Sequence, residues 1–221
     1  MMQEQLREVY RLLLDSFGPQ NWWPGETRFE IMVGAILTQN TSWSNVAKAI
    51  ANLKTAGCLE PNKLHTLDLA ELETLIRPAG YFRLKAKRLR NFTQWLFKEY
   101  EGNLERLDEV DTHRLREELL GISGIGPETA DSILLYALDR PVFVVDTYTA
   151  RVAVRHGLIE PELTYEQLQD LFASGLESDV PLFNEYHALL VHVGKDFCKP
   201  KPQCAGCPLD PLPHTIEREC D

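Results

Sequence analysis

No stretch of this chain is apolar for the roughly 20 residues that a membrane-crossing helix needs. The segment Met1-Met-Gln-Glu-Gln shows no signal-peptide pattern, so a cytoplasmic protein without membrane contact is expected. Internal repeats and low-complexity segments are also missing. Strand patterns are scarce, since Pro141–Val145 is short and reads as an extended lead-in. The chain further lacks an excess of basic residues: 23 Lys and Arg stand against 33 Asp and Glu, a net charge of −10. A basic footprint is the usual electrostatic mark of a general nucleic-acid binder. Any contact with DNA must therefore come from a local patch and from backbone amides.

What is present reads as mostly α. Leu6, Val9, Tyr10, Leu13 and Leu14 recur at helical spacing between Glu4 and Phe17, and Gly18-Pro19 ends that helix. Phe29–Leu37 reads as a buried helix, and Trp43, Val46, Ala47, Ile50 and Leu53 carry the next. Between Asn62 and Leu120 short amphipathic helices alternate with turns, and helical patterns return at Arg151–His156, Tyr165–Phe172 and Pro181–Val193. With 221 residues, the chain is one large domain or two small ones. Arg83, Lys85, Lys87, Arg88 and Arg90 form its densest basic cluster. A charge run is usually a solvated face, with one or two side chains left to contact phosphate.

Three features suggest chemistry. Gly124 and Gly126 stand two residues apart before a helix that opens with Pro127, where a missing N–H does no harm. Such glycines let backbone approach a ligand, and a helix N-terminus offers unpaired N–H groups to a phosphate. Alone, the pattern is more often a tight helix–helix turn. Asp146 ends the apolar run Pro141–Val145, and an acid in that place is most often an N-cap. Trp22 and Trp23 precede Pro24-Gly25. They either plug the core or turn a ring toward a flat ligand. The polar loop Thr38-Gln39-Asn40-Thr41 reads by itself as a helix end.

Four of the five cysteines crowd the last 24 residues, spaced C-x5-C-x2-C-x12-C at Cys198, Cys204, Cys207 and Cys220. A cytoplasmic chain has little use for disulfides, so the cluster reads as metal ligation. By spacing alone, zinc is at least as good a candidate as a [4Fe–4S] cluster. Cys58 stands alone.

Taken together, the glycine hairpin and the Val145-Asp146 pair twenty residues after Gly126 resemble the helix-hairpin-helix DNA glycosylases of the endonuclease III superfamily. Trp22-Trp23-Pro24, Phe29-Glu30, Gly34–Thr41 and Arg77–Phe82 with Lys85–Leu89 look like its bacterial 3-methyladenine branch. The resemblance implies an all-α fold of two helical subdomains flanking a cleft. It suggests a helical barrel at 27–138 carrying the hairpin at 115–138, a second subdomain from 1–26 with 139–197, and a metal-cluster loop at 198–221. It implies that Asp146 is catalytic and that Gln39 fills the gap left by an extruded base. Gly124, Gly126 and Thr129 would bind DNA, and Trp22, Trp23, Pro24 and Trp43 would wall the base pocket. The branch carries phenylalanine at the place of Trp43, and the larger ring would narrow the pocket or change which bases it admits.

The family's cluster loop is spaced C-x6-C-x2-C-x5-C. The central pair matches here, the first gap is shorter and the last much longer. The resemblance favours [4Fe–4S] over zinc, and the hairpin is a candidate site for a monovalent cation. Members that also cleave the strand use a hairpin lysine as an amine nucleophile. Glu128 stands in that place, and Lys85 and Lys195 have no evident route to the pocket. The expected activity is monofunctional removal of alkylated purines such as 3-methyladenine from double-stranded DNA by a monomer, leaving an abasic site. The competing readings are a glycosylase for mismatched thymine or uracil, for oxidised pyrimidines, or for adenine opposite oxidised guanine, and a non-catalytic DNA-binding module. A helical metal-binding regulator unrelated to DNA, favoured only by the acidic charge, is more distant.

Overall fold

The computed structural model describes residues 2–215, and among these every regular element is helical. Cys220, one of the expected metal ligands, lies outside the described residues. The chain divides into two compact units. A discontinuous unit joins the stretch up to Trp23 to the stretch from Pro141 onward, and a continuous unit is Pro24–Arg140.

The continuous unit is wound around α2 (Arg28–Thr38), whose Phe29, Met32, Val33, Ile36 and Leu37 are buried. The apolar period predicts this helix, and Thr27 caps it by accepting the Glu30 N–H. On it pack α3 (Trp43–Thr55), α6 (Phe82–Tyr100) and α8 (Pro127–Ser132), while α4 (Pro61–Thr66) and α5 (Leu69–Leu75) pack on α6 and α7 (Thr112–Leu120) packs on α8. Helix α8 runs on into a widened, π-type turn, Ile133–Ala137. The spacing of Ile133, Leu134 and Ala137 suggests an ordinary amphipathic continuation, but all five residues of this turn are buried. Packing from every side replaces the one-faced pattern. Its loose carbonyls find donors, Leu134 O the Arg140 N–H at 2.9 Å and Ala137 O the Arg28 Nε at 2.9 Å, as an interrupted helix requires.

Basic residues of α6 depart from the solvated face that their clustering suggests. Lys85 is buried, and its ammonium donates to Leu37 O at 2.9 Å and Ala79 O at 2.8 Å. Burial and the neighbouring Arg88 push its pKa down to about 8. Arg90 donates to the carbonyls of His65 and Leu67. These cations serve the ends of neighbouring helices and turns, whose carbonyls carry partial negative charge.

The discontinuous unit contains α1 (Met2–Phe17), α9 (Thr147–Arg155), α10 (Tyr165–Gly175) and α11 (Val180–Asp196). Helix α11 packs on α9 and on α1, and α1 also meets α10. Phe143, from the extended lead-in, stacks on Phe172 at 4.5 Å and meets Phe183 edge-on at 5.3 Å. The buried Tyr186 hydroxyl donates to Leu6 O at 2.8 Å, so this phenol is satisfied inside the aromatic core. No described helix is long and apolar enough to cross a membrane.

Candidate active site

Asp146 caps α9. The buried run Phe143-Val144-Val145 anchors the residue before it, and the aspartate's extended backbone leaves its side chain free to fold over the helix start. Oδ1 accepts the Thr149 N–H at 2.7 Å and the Thr149 hydroxyl at 3.0 Å. Asp68, Asp111 and Asp179 use the same device on α5, α7 and α11, but all three are exposed. The Asp146 side chain is only 11% exposed, and its Oδ2 lies 3.6 Å from Nε2 of His187, itself 8% exposed. Burial pushes the carboxyl pKa up. The imidazole, the Thr149 N–H and the Thr149 hydroxyl more than offset that and hold it below the ordinary carboxylate value. An ionised carboxylate is thus held in a nearly dry place, where its field is strongest.

Sequence reasoning passed over His187. It falls within the amphipathic pattern of Pro181–Val193, four residues after Phe183 and three before Leu190, on the buried face of α11. A lone imidazole among those apolar positions was the available signal.

Trp22 and Trp23 are half-buried in the same unit, their rings edge to face at 5.3 Å across a cis peptide bond. Lys195, near the end of α11, holds its ammonium 6.0 Å from the ring centroids of both Trp22 and Tyr148. Gly194 makes room for Tyr148, because a Cβ there would stand 2.5 Å from the ring. Helix α11 thus brings the Lys195 amine beside Trp22, a neighbour that nothing in the sequence points to. Lys85 is sequestered among carbonyls, as described above. Pro24 and Trp43 belong to the continuous unit, Pro24 exposed at its start and Trp43 half-buried as the first residue of α3.

In that unit, the hairpin and the Gln39 loop form one polar knot. Gln39 Nε2 donates to Gly124 O at 3.0 Å and to the Thr129 hydroxyl at 2.9 Å, while Arg88 donates to Gln39 Oε1. Gly124 adopts φ +98°, and a Cβ on it would meet Arg88 Cγ at 2.4 Å. Its neighbour Gly126 differs. There φ is −98°, and a Cβ would touch nothing within 4 Å. The close approach made inside the protein thus requires the first glycine alone. Glu128 is exposed in the first turn of α8, while Asp131 is fully buried and takes Arg116 in two hydrogen bonds of 2.6 and 3.0 Å.

Cys198, Cys204 and Cys207 line a common small cavity with Arg155, Asp210 and His214. Helix α9 contributes its last residue, Arg155, to the lining. Arg155 donates to Cys198 Sγ at 3.3 Å and to Lys199 O at 2.6 Å, and Arg151 donates to Cys198 O at 2.6 Å. Burial pushes the Cys207 thiol pKa up, and the other two sulfurs push it further. A cation bound among the three sulfurs would relieve that cost, so this donor set fits a metal centre. Potential ligand atoms of Cys204, Asp210 and His214 also lie within 4.8 Å of one another.

A family model described as HhH-GPD superfamily base excision DNA repair protein matches residues 33–178. A Methanocaldococcus jannaschii protein described as a candidate DNA repair glycosylase is 51% identical over 208 residues, which is 93% of this chain and 94% of its own. The solved H. pylori 3-methyladenine DNA glycosylase, bound to 1,N6-ethenoadenine, is 32% identical with a TM-score of 0.75, covering 88% of this chain and 97% of that one. An endonuclease III solved with DNA shares the fold at a TM-score of 0.81 and 24% identity, over 96% of this chain and 95% of its own.

Proposed function

From the premise that this chain belongs to the HhH-GPD superfamily of base excision DNA repair proteins, we propose that it is a monofunctional glycosylase for alkylated purines such as 3-methyladenine in double-stranded DNA. The observation that carries this reading is the Asp146 carboxylate, nearly buried yet held ionised, in the same unit as the tryptophan pair. Excision breaks an N-glycosidic bond through a transition state with oxocarbenium character, and a fixed carboxylate stabilises that charge. Water then adds to the sugar carbon, the base leaves with the electron pair of the broken bond, and Asp146 takes the water's proton. Gln39 and the hairpin serve extrusion of the base from the stack. Gly124, Gly126 and Thr129 lie along the backbone that faces phosphate, where a monovalent cation would assist.

A 3-methylated adenine is cationic. It needs little acid catalysis to leave, and it gains about 0.5–2 kcal/mol from each well-placed aromatic face. Trp22 and Trp23 are the proposed faces for that base. The 32% identity to the H. pylori 3-methyladenine enzyme over most of both chains supports this substrate class. Cys198, Cys204 and Cys207 are the assigned ligands of a [4Fe–4S] cluster, with Cys220 as the fourth, and zinc is the alternative. When bound, the metal centre supplies folding energy to the loop that grips α9. Iron and acid-labile sulfide in the purified protein, against zinc content, decide between the two.

Absence of strand cleavage rests on Glu128 at the lysine place, and the nearness of Lys195 to Trp22 favours the competing reading of a lyase. Borohydride trapping on duplexes carrying alkylated purines, uracil, mismatched thymine or an oxidised pyrimidine tests both points. Release of methylated purine without a trapped adduct is expected. An adduct abolished by Lys195→Ala would make the enzyme bifunctional. Release of uracil, thymine or the oxidised base alone would overturn the substrate, and no release from any duplex would favour a binding module.

A further inference from the structure

We propose that His187 is the positioning residue of the reaction: it holds Oδ2 of Asp146 in place from α11 and supplies the polar partner that solvent supplies to other capping aspartates. The proposal rests on Asp146 as the reactive carboxylate. Its starting point is a contrast within the molecule. Asp68, Asp111 and Asp179 each spend one oxygen on a helix start and stand exposed, so water serves the other. Asp146 spends Oδ1 in the same way on Thr149. Its Oδ2 is turned to a nearly buried imidazole instead of bulk water.

The imidazole does not come from the local chain. It stands 41 residues downstream, on the buried face of α11 between Phe183 and Leu190, and reaches Asp146 because α11 packs along α9. A nearly buried carboxylate deprived of its partner either takes up a proton or turns away. In both cases it loses the charge, or the direction, that the transition state requires. Thr149 alone cannot prevent this, since both of its bonds go to the other oxygen.

The test compares single-turnover base release at saturating enzyme, DNA affinity and melting temperature for wild type, His187→Ala, His187→Gln, Asp146→Asn and the double variant His187→Ala/Asp146→Asn. His187→Ala is expected to slow release about 100-fold while DNA affinity stays within about twofold. His187→Gln, whose carboxamide N–H donates toward the same oxygen, should recover much of the rate. It also serves as the test should the alanine variant fold poorly. The double variant should be no slower than Asp146→Asn, because both substitutions remove one unit. Wild-type rates in both His187 variants, with Asp146→Asn inactive, would overturn the proposal alone. An additive loss in the double variant would reduce His187 to packing. Full activity in Asp146→Asn would remove the underlying reading as well.

Discussion

In the continuous unit, Gln39, Arg88, Gly124 and Thr129 satisfy one another in a knot of hydrogen bonds. In the discontinuous unit, Asp146 divides its two oxygens between its own helix and an imidazole from another. The two arrangements differ in what they hold ready. The knot ties an uncharged side chain to the hairpin, so that loop and hairpin are joined where the proposed recognition surface lies. The divided carboxylate keeps a charge in a nearly dry place, which costs desolvation and persists only while both partners remain. One region is built for fit and the other for charge.

That comparison can be broken most severely at the far end of α9. Arg151 and Arg155 fasten the cysteine loop to the helix that Asp146 caps. Cys207→Ser, or chelator treatment that strips the proposed metal centre, is expected to lower stability by about 4 kcal/mol or more. It should lower base release with it, as read by thermal melting and single-turnover assays. Loss of metal without loss of stability would detach the loop from the account. In the other unit, Asp131→Ala leaves Arg116 without its buried partner and should cost roughly 3 kcal/mol in urea titrations.

The two hairpin glycines sharpen the contrast further. Gly124→Ala forces a positive φ on a residue with a side chain and drives its Cβ into Arg88. About 1–3 kcal/mol of stability should be lost, and DNA affinity should fall with it. Gly126→Ala should change stability by less than about 0.5 kcal/mol, since nothing stands within reach of the new methyl. A loss of DNA affinity in that variant would assign its clearance to phosphate.

The smallest effect concerns pH. A carboxyl held below its unfolded value contributes stability that is fully present above that value, about 3.9. The contribution is lost as the pH falls through the lower folded value. Asp146→Asn should therefore be less stable than wild type near neutrality, and the gap should close as acid protonates the native carboxylate. A gap that widens toward acid would contradict the charged state assigned to Asp146.

Much of the helical order was legible from periodicity, because most helices present one apolar face and open on Asp or Thr caps. The π-type turn at Ile133–Ala137 was not, because residues buried on every side leave no period to read. Lys85, Arg88 and Arg90 looked like a solvated run. Their lengths let them turn inward to carbonyls whose positions only the tertiary structure supplies. The candidate site was legible where chemistry sits in local motifs, at Gly124, Asp146 and the cysteines. It was illegible where a partner arrives through packing, as His187 and Lys195 do along α11.

The most direct test of the central claim is single-turnover release of 3-methyladenine from methylated duplex DNA by wild type and Asp146→Asn, each followed by product analysis before and after alkali. The account expects release by wild type, a loss of about 1,000-fold in the variant, and strand breaks that appear only after alkali. Equal release by the two proteins would contradict Asp146 as the carboxylate that stabilises the departing sugar charge, and breaks before alkali would contradict a reaction that uses water alone.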